Sequence, residues 1–336
     1  MKRIGNLYEK VCSIENLQLA DEKARKGKLR TYGVIEHDKK REVNLLKLRE
    51  TLLNGTFHTS KYDVFTIYEP KEREIYRLPY FPDRILHHAI MNVLEPIWVS
   101  TFTADTYSCI KNRGIHAAAK KVKQALREDP EGTTFCLKLD IRKFYPSINH
   151  DVLKSILRRK LKDKRLLRLL DEIIDSADGV PIGNYLSQYF ANLYLTYFDH
   201  WIKEQKRVKH YFRYADDIVI LASDKSYLHS LMGEIRAYLG DLKLEVKGNW
   251  QVFPVAARGI DFVGYVFFHT HTRMRKGIKK TFCRRLAKLK KRKRPLSEKD
   301  FKQAICPWWG WAKSCDSKHL IKKLSKTSKY EIKFKR

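Results

Sequence analysis

His210-Tyr211-Phe212-Arg213-Tyr214-Ala215-Asp216-Asp217-Ile218-Val219-Ile220-Leu221-Ala222-Ser223 is the stretch on which the fold turns. Two β-prone arms flank Ala215-Asp216-Asp217, so the segment reads as a hairpin carrying two acids at its tip. Aspartate is common in turns, and a solvated turn is the plain alternative. Adjacent carboxylates between apolar strands, however, repel one another unless a cation offsets them.

Working outward, Thr133 to Leu139 (TTFCLKL) has the pattern of a buried strand, and it ends at Asp140. A strand ending in Asp140 beside a hairpin tip with Asp216 and Asp217 supplies three hard oxygen donors. Magnesium takes such donors, with water and phosphate completing its shell. Nucleotidyl transfer uses two such ions about 3.5–4 Å apart, one at the attacking hydroxyl and one at the leaving pyrophosphate.

The charge balance points to the same class of partner. The chain has 336 residues with 69 Lys plus Arg against 38 Asp plus Glu, a formal net charge of +31. A surface this basic attracts polyanions, which identifies nucleic acid as partner but no particular activity. The basic residues are not confined to one amphipathic helix, which disfavours a membrane surface. No run of about 18 apolar residues offers a transmembrane span, and the N-terminus lacks the apolar core of a signal peptide. Six scattered cysteines without a CxxC pair fit reduced thiols in a cytoplasmic protein. Zinc held by Cys283, Cys306 and Cys315 would need an uncommon ligand spacing.

The remaining segments read as follows. Residues 1–60 are helical, with Val43, Leu46, Leu48 and Leu52 near helical spacing and Gly55 as the stop. Lys61 to Tyr68 and Arg73 to Tyr80 form a hairpin, and Asp83 to Trp98 a helix. A basic helix runs from Asp151 to about Ser176, a glycine-containing turn occupies 179–184, and a helix runs from Leu186 to about Glu204. A helix over 226–240 leads to Leu242–Val246 and a strand pair around Gly259–Phe268. Residues 271–336 hold 24 Lys plus Arg against 4 Asp plus Glu, a net +20. In that segment Phe282, Leu286 and Leu289 can form one packed stripe. Trp308, Trp309 and Trp311 downstream favour a folded, nucleic-acid-facing subdomain over an inert charged tail.

Phe212-Arg213-Tyr214-Ala215-Asp216-Asp217 and Leu137-Lys138-Leu139-Asp140-Ile141-Arg142-Lys143-Phe144-Tyr145 resemble the two metal-binding blocks of the reverse transcriptases. Further blocks of that family occur in order from about residue 25 to about 320. The resemblance implies a right-hand polymerase, α/β (α+β) in class. Its parts would be an N-terminal helical region over 1–60, fingers over 61–132, a palm over 133–270 with finger helices inserted at about 151–180, and a basic helical thumb over 271–336. It also implies Mg²⁺ as two ions, with Mn²⁺ as substitute. The metal would be held by Asp140, Asp216, Asp217 and the Ile141 backbone carbonyl. Tyr145 corresponds to the steric gate against a ribose 2′-hydroxyl. Lys71 and Arg73, with Arg77 as competitor, lie on the hairpin that covers the incoming dNTP, where cations suit a polyphosphate. Lys247 resembles a lysine near pyrophosphate. Ile260-Asp261-Phe262-Val263-Gly264-Tyr265 looks like the hairpin that grips the primer, which places Phe262, Gly264 and Tyr265 at template and primer. Each phosphate the thumb neutralises steepens the salt dependence by about 0.7–0.9 in log–log slope.

Ile182-Gly183-Asn184-Tyr185-Leu186-Ser187-Gln188 sharpens the resemblance. Most reverse transcriptases carry Gln-Gly-x-x-x-Ser-Pro here, and this chain has isoleucine for the glutamine and glutamine for the proline. That departure is similar to the reverse transcriptases of diversity-generating retroelements, within the group II intron-like superfamily of bacteria and phage. In those enzymes the positions of Ile182, Gly183 and Gln188 bear on nucleotide, template and fidelity. An amide can hold a base pair in register through hydrogen bonds, and a branched alkyl group cannot. Retron-type and phage-defence reverse transcriptases are the nearest alternatives, and a non-catalytic RNA-binding scaffold is the alternative of another class. The implied partners are template-repeat RNA, its RNA/cDNA duplex, dNTPs and a small accessory variability protein, a pentamer by resemblance.

Overall fold

A computed structural model of the chain describes residues 3–68, 72–292, 294 and 296–326. In chain order, helices α1 (Ile14–Ala24) and α2 (Arg41–Asn54) precede strands β1 (Asp63–Ile67) and β2 (Arg73–Arg77). Helices α3 (Ile85–Val99) and α4 (Ile115–Glu128) lead to β3 (Phe135–Asp140). Then come α5 (His150–Lys160), α6 (Lys164–Asp175) and α7 (Tyr185–Tyr194). Strands β4 (His210–Tyr214) and β5 (Asp217–Ala222), helix α8 (Lys225–Asp241) and β6 (Gln251–Pro254) follow. The chain continues with β7 (Ile260–Phe262), β8 (Tyr265–Phe267), β9 (Thr272–Met274), α9 (Lys276–Lys290), α10 (Glu298–Lys313) and α11 (Lys318–Lys326).

Two compact units interleave along the chain. The first comprises Met1–Cys109, Ile141–Arg207 and Ile235–Lys247. The second comprises Ile110–Asp140, Val208–Glu234 and Gly248–Arg336.

In the first unit α3 is the central element, packed against α1 and α7. Its mean composition is apolar, and Ile85, Leu86, Ala89, Ile90, Leu94 and Trp98 are buried along it. Helix α2 ends at Gly55, whose φ of 69° is the left-handed stop expected of glycine. Its inward stripe is Leu45, Leu48 and Leu52, whereas Val43 and Leu46 are exposed, so that part of the sequence reading is corrected. Both sets sit at helical spacing, and only packing against α1 decides between them.

The single helix read over Asp151–Ser176 is two. The break has a specific cause in Asp163. Its Oδ1 accepts from Leu166 N at 3.2 Å, capping α6, and its Oδ2 accepts from Leu7 N at 2.7 Å and Tyr8 N at 2.9 Å. Ile4 pairs as a parallel bridge with Leu161 just before it. The chain thus leaves the helical ladder at 161–163 to satisfy the N-terminal segment. Likewise the helix expected to run to Glu204 breaks at Leu195 and resumes as two short turns, Thr196–His200 and Trp201–Gln205.

In the second unit a four-stranded antiparallel sheet has the order β4-β5-β3-β6. A three-stranded sheet, β7-β8-β9, leads into the basic helices. Phe282, Leu286 and Leu289 of α9 are buried with Phe301 and Ile305 of α10, and the Trp308 ring stacks on Phe282 at a centroid distance of 6.3 Å. Among its described residues the charged 271–326 stretch therefore folds around one apolar stripe, with most of the cations exposed. Leu242–Val246, expected to be strand-like, contributes only the bridge between Val246 and Ile141. Among the described residues no helix is long and apolar enough to cross a membrane.

Candidate active site

The β4–β5 hairpin forms because both arms are continuously buried between their ends and a two-residue tip joins them. Tyr214 pairs with Asp217, leaving Ala215 and Asp216 as the turn. Ala215 has φ 55°, a left-handed conformation in which a Cβ is disfavoured. Arg213, wholly buried in β4, donates from Nη1 to the Ala215 carbonyl at 3.1 Å. A buried guanidinium bonded to a backbone carbonyl is a stiff support for this strained tip.

On the other side of β5, Asp140 is the register partner of Asp217. Their side chains leave the same face of the sheet as neighbours, at the end where β3 terminates. Burial pushes the Asp217 carboxyl up to about 6; the nearby Lys138 ammonium opposes that shift and the Asp140 charge adds to it. Lys138 Nζ stands 3.5 Å from Asp217 Oδ1 and also donates to the Asp261 carbonyl. Two residues before Asp140 on the same strand, Lys138 shares its face by the two-residue period of a strand. Neither Lys138 nor Arg213 emerged from the sequence as a site residue, although that period was a readable signal for Lys138.

Among the described residues, no group of three or more His, Cys, Asp or Glu side chains is placed to hold a metal ion. Asp140 and Asp217 are register partners, and Asp216 precedes Asp217 in the turn. The donor chemistry fits a hard divalent ion: facing carboxylates, one raised by burial and offset in part by Lys138 at 3.5 Å and by the charge of Arg275. Cys283, Cys306 and Cys315 form no metal group either, and all six cysteines are free thiols.

The first unit holds the residues expected around the nucleotide. Lys71 lies outside the described residues. Arg73 opens β2 opposite Ile67, exposed. Arg77 is committed to an ion pair with Asp63 and lies 5.6 Å from the Phe65 ring centroid, so Arg73 is the better placed of the two for a phosphate. Phe144 is buried, as its apolar character implied, while the neighbouring Tyr145 is half-exposed in the short helix Phe144–Ser147. Ile141 is buried, and its bridge to Val246 places half-buried Lys247 one residue beyond.

The turn at Ile182-Gly183 docks on β2. Tyr76 N donates to the Ile182 carbonyl at 2.8 Å. Gly183 has φ 126°, and a Cβ there would come within 2.5 Å of the Tyr76 carbonyl oxygen. Glycine is therefore required by close backbone approach as well as by dihedral angle. Gly183→Ala should destabilise the protein by about 1–3 kcal/mol, measured by denaturant unfolding; an unchanged midpoint would contradict this packing. Gln188, on α7, is exposed.

Phe262 and Tyr265, read as primer-gripping residues, are both wholly buried. The Tyr265 hydroxyl lies 3.2 Å from His116 Nδ1, and its ring packs on Trp311 at 5.0 Å. Gly264 has φ 84°, and a Cβ there would overlap the Trp311 ring. These three residues set the β7–β8 turn against α10, with both aromatic rings inside the packing. The polar group that this hairpin does expose is Asp261, ion-paired with Arg275.

Residues 69–267 match the family described as "Reverse transcriptase (RNA-dependent DNA polymerase)". Among curated proteins, the chain is 26% identical over 279 residues to "Protein YkfC" of Escherichia coli, covering 69% of this chain and 73% of that protein. It is 23% identical over 191 residues to the group II intron-encoded protein LtrA of Lactococcus lactis subsp. cremoris, covering 52% of this chain and 31% of that one. It is 27% identical over 161 residues to nuclear intron maturase 4, mitochondrial, of Arabidopsis thaliana, covering 46% and 20%. The match thus spans most of the first relative and under a third of the other two. Among solved structures, apo telomerase from Candida Tropicalis aligns with a TM-score of 0.50 at 12% identity, over 82% of this chain and 60% of that one. That likeness concerns the fold, the right-hand polymerase architecture of mixed helix and sheet. With the palm hairpin, its partner strand and more than half of the chain matched, the protein belongs to the reverse transcriptase family.

Proposed function

We propose that the chain is an RNA-directed DNA polymerase that copies a template-repeat RNA into cDNA with errors concentrated at template adenines, as part of a diversity-generating retroelement. The polymerase reading rests on the facing pair Asp140 and Asp217 at the base of the Ala215-Asp216 tip. Asp140, Asp216 and Asp217 would hold two Mg²⁺ ions (or Mn²⁺), which when bound supply the activation of the primer 3′-hydroxyl and the neutralisation of the departing pyrophosphate.

The chain's own groups do the rest. Arg213 holds the tip in its strained conformation. Lys138 balances part of the carboxylate charge. Arg73 offers a bidentate donor set to a polyphosphate. Tyr145 presents a half-exposed ring that would exclude a 2′-hydroxyl and so select dNTPs.

The retroelement reading is carried by Ile182 standing where most of the family has glutamine, together with Gln188 in place of proline. The Ile182 backbone is fixed by Tyr76, so the loss of an amide there is not recovered by a shifted main chain. Proposed partners are the template-repeat RNA, the RNA/cDNA duplex and a pentameric accessory variability protein, the last resting on resemblance alone.

Sequencing the cDNA tests the subtype. Misincorporation should concentrate at template adenines, and Ile182→Gln should lower it severalfold, since one neutral hydrogen bond contributes about 1 kcal/mol. Errors spread evenly over the four bases, or a spectrum indifferent to Ile182→Gln, would contradict it.

A further inference from the structure

The first unit contains a cavity of about 380 Å³ lined by α5, the segment around Tyr194 and Tyr197, and the end of α8. This lies within the roughly 300–1,000 Å³ range of small-molecule sites. Its floor is structural: the Tyr194 hydroxyl donates to the Leu242 carbonyl at 2.6 Å and accepts from Asn149 N at 3.2 Å.

The other polar groups on its wall are uncommitted. Arg159, Tyr197, Tyr238 and Asp241 make no side-chain hydrogen bond or ion pair among the described residues, though each lines the same space. Arg159 instead lies over the Tyr197 ring, 4.6 Å from its centroid. Tyr238 leans on Trp201 at 4.8 Å, and Lys206 covers Trp201 at 5.4 Å. The approach is basic, since Arg159 and Lys160 lie in the last turn of α5, where Arg158 is ion-paired with Asp171.

A planar guanidinium on an aromatic ring, a second supported aromatic, one free acceptor and a cationic rim match what an unstacked nucleobase needs. Single-stranded RNA is held by stacking on aromatic rings and arginine planes, with hydrogen bonds to base edges. An apolar peptide side chain would leave Arg159 and Asp241 desolvated without partners, at a cost.

We propose that this cavity binds one unpaired base of an RNA strand. The base would stack beside Arg159 and Tyr238 and present its amino edge to Asp241, with the adjoining phosphate at the α5 rim. The site would anchor one base of an RNA strand; it rests on the reading that this chain handles RNA.

The test is ultraviolet cross-linking of an unstructured RNA oligonucleotide to the full chain, with adducts mapped by mass spectrometry. Adducts are expected at Tyr197 or Tyr238 as well as in the basic helices after residue 275. Ser155→Trp fills the cavity from an exposed position of α5, and Arg159→Ala removes the stacking cation. Either variant should abolish the cavity adduct and weaken oligonucleotide binding about tenfold, with primer extension on a short template unchanged. Adducts confined to the basic helices, or unchanged affinity in both variants, would overturn the proposal. Absence of RNA-templated synthesis in the wild type would instead overturn the polymerase reading.

Discussion

Asp140→Ala and Asp217→Ala should each reduce RNA-templated DNA synthesis at least about 10³-fold, equivalent to about 4 kcal/mol of transition-state stabilisation. The two residues are partners across β3 and β5, and each backbone is fixed by a full strand pairing. Neither loss can be made up by a neighbour shifting along the strand. The Lys138 ammonium beside Asp217 cannot ligate a cation. Single-turnover extension of a DNA primer on RNA measures this without interference from product release. Retention of more than a tenth of wild-type rate in either variant would contradict the assigned site.

Asp217→Asn should have the opposite effect on the fold in the absence of divalent ions: it should stabilise the protein at neutral pH. The sign follows from linkage. Burial raises the Asp217 carboxyl to about 6, above its unfolded value near 3.9. The native state therefore binds this proton more tightly than the unfolded chain does. Its contribution is favourable below about pH 4 and is lost as pH rises through about 6. Above that, an ionised Asp217 costs stability, by at most about 3 kcal/mol. Asparagine removes the charge at similar volume and should raise the denaturation midpoint at pH 7–8, with little change near pH 4. A divalent cation should stabilise the wild type and leave Asp217→Asn nearly unaffected. A pH-independent gain, or equal stabilisation of both proteins by Mg²⁺, would argue against burial and cation binding as the source.

The parts of the fold visible in the sequence were those with strong local signals. Ile218 to Leu221 beside Tyr211 and Phe212 marked a buried hairpin, and Asp140 marked the end of its partner strand. The stripe Phe282, Leu286, Leu289 marked a packed helix inside a strongly basic segment. Features fixed by distant residues stayed hidden. The break between α5 and α6 depends on Asp163 serving backbone amides of Leu7 and Tyr8, more than 150 positions away. The short strands β6 and β9 carry too few residues for a period to register. Phe262 and Tyr265 are aromatic on a hairpin that resembles a primer-gripping one, which suits a surface role. Their burial comes from Trp311 and His116, which no pattern within that hairpin announces.

The site divided in the same way. The identities of its acids could be read, because carboxylates at strand ends in an apolar frame have few structural uses. Their supports could not. Arg213 donating to Ala215, and Lys138 beside Asp217, are relations of side chain to fold. Gly183 lay between: its dihedral could be suspected, but its contact with the Tyr76 carbonyl appears only once β2 is in place.

The most direct test supplies the purified chain with Mg²⁺, an RNA template, a DNA primer and all four dNTPs, alongside Asp216→Ala and Asp217→Ala preparations. The expected result is a DNase-sensitive product that ends at the 5′ end of the RNA and is missing from both variants. No product on any of several RNA templates, or equal product from wild type and variants, would contradict the assignment of polymerase chemistry to this hairpin.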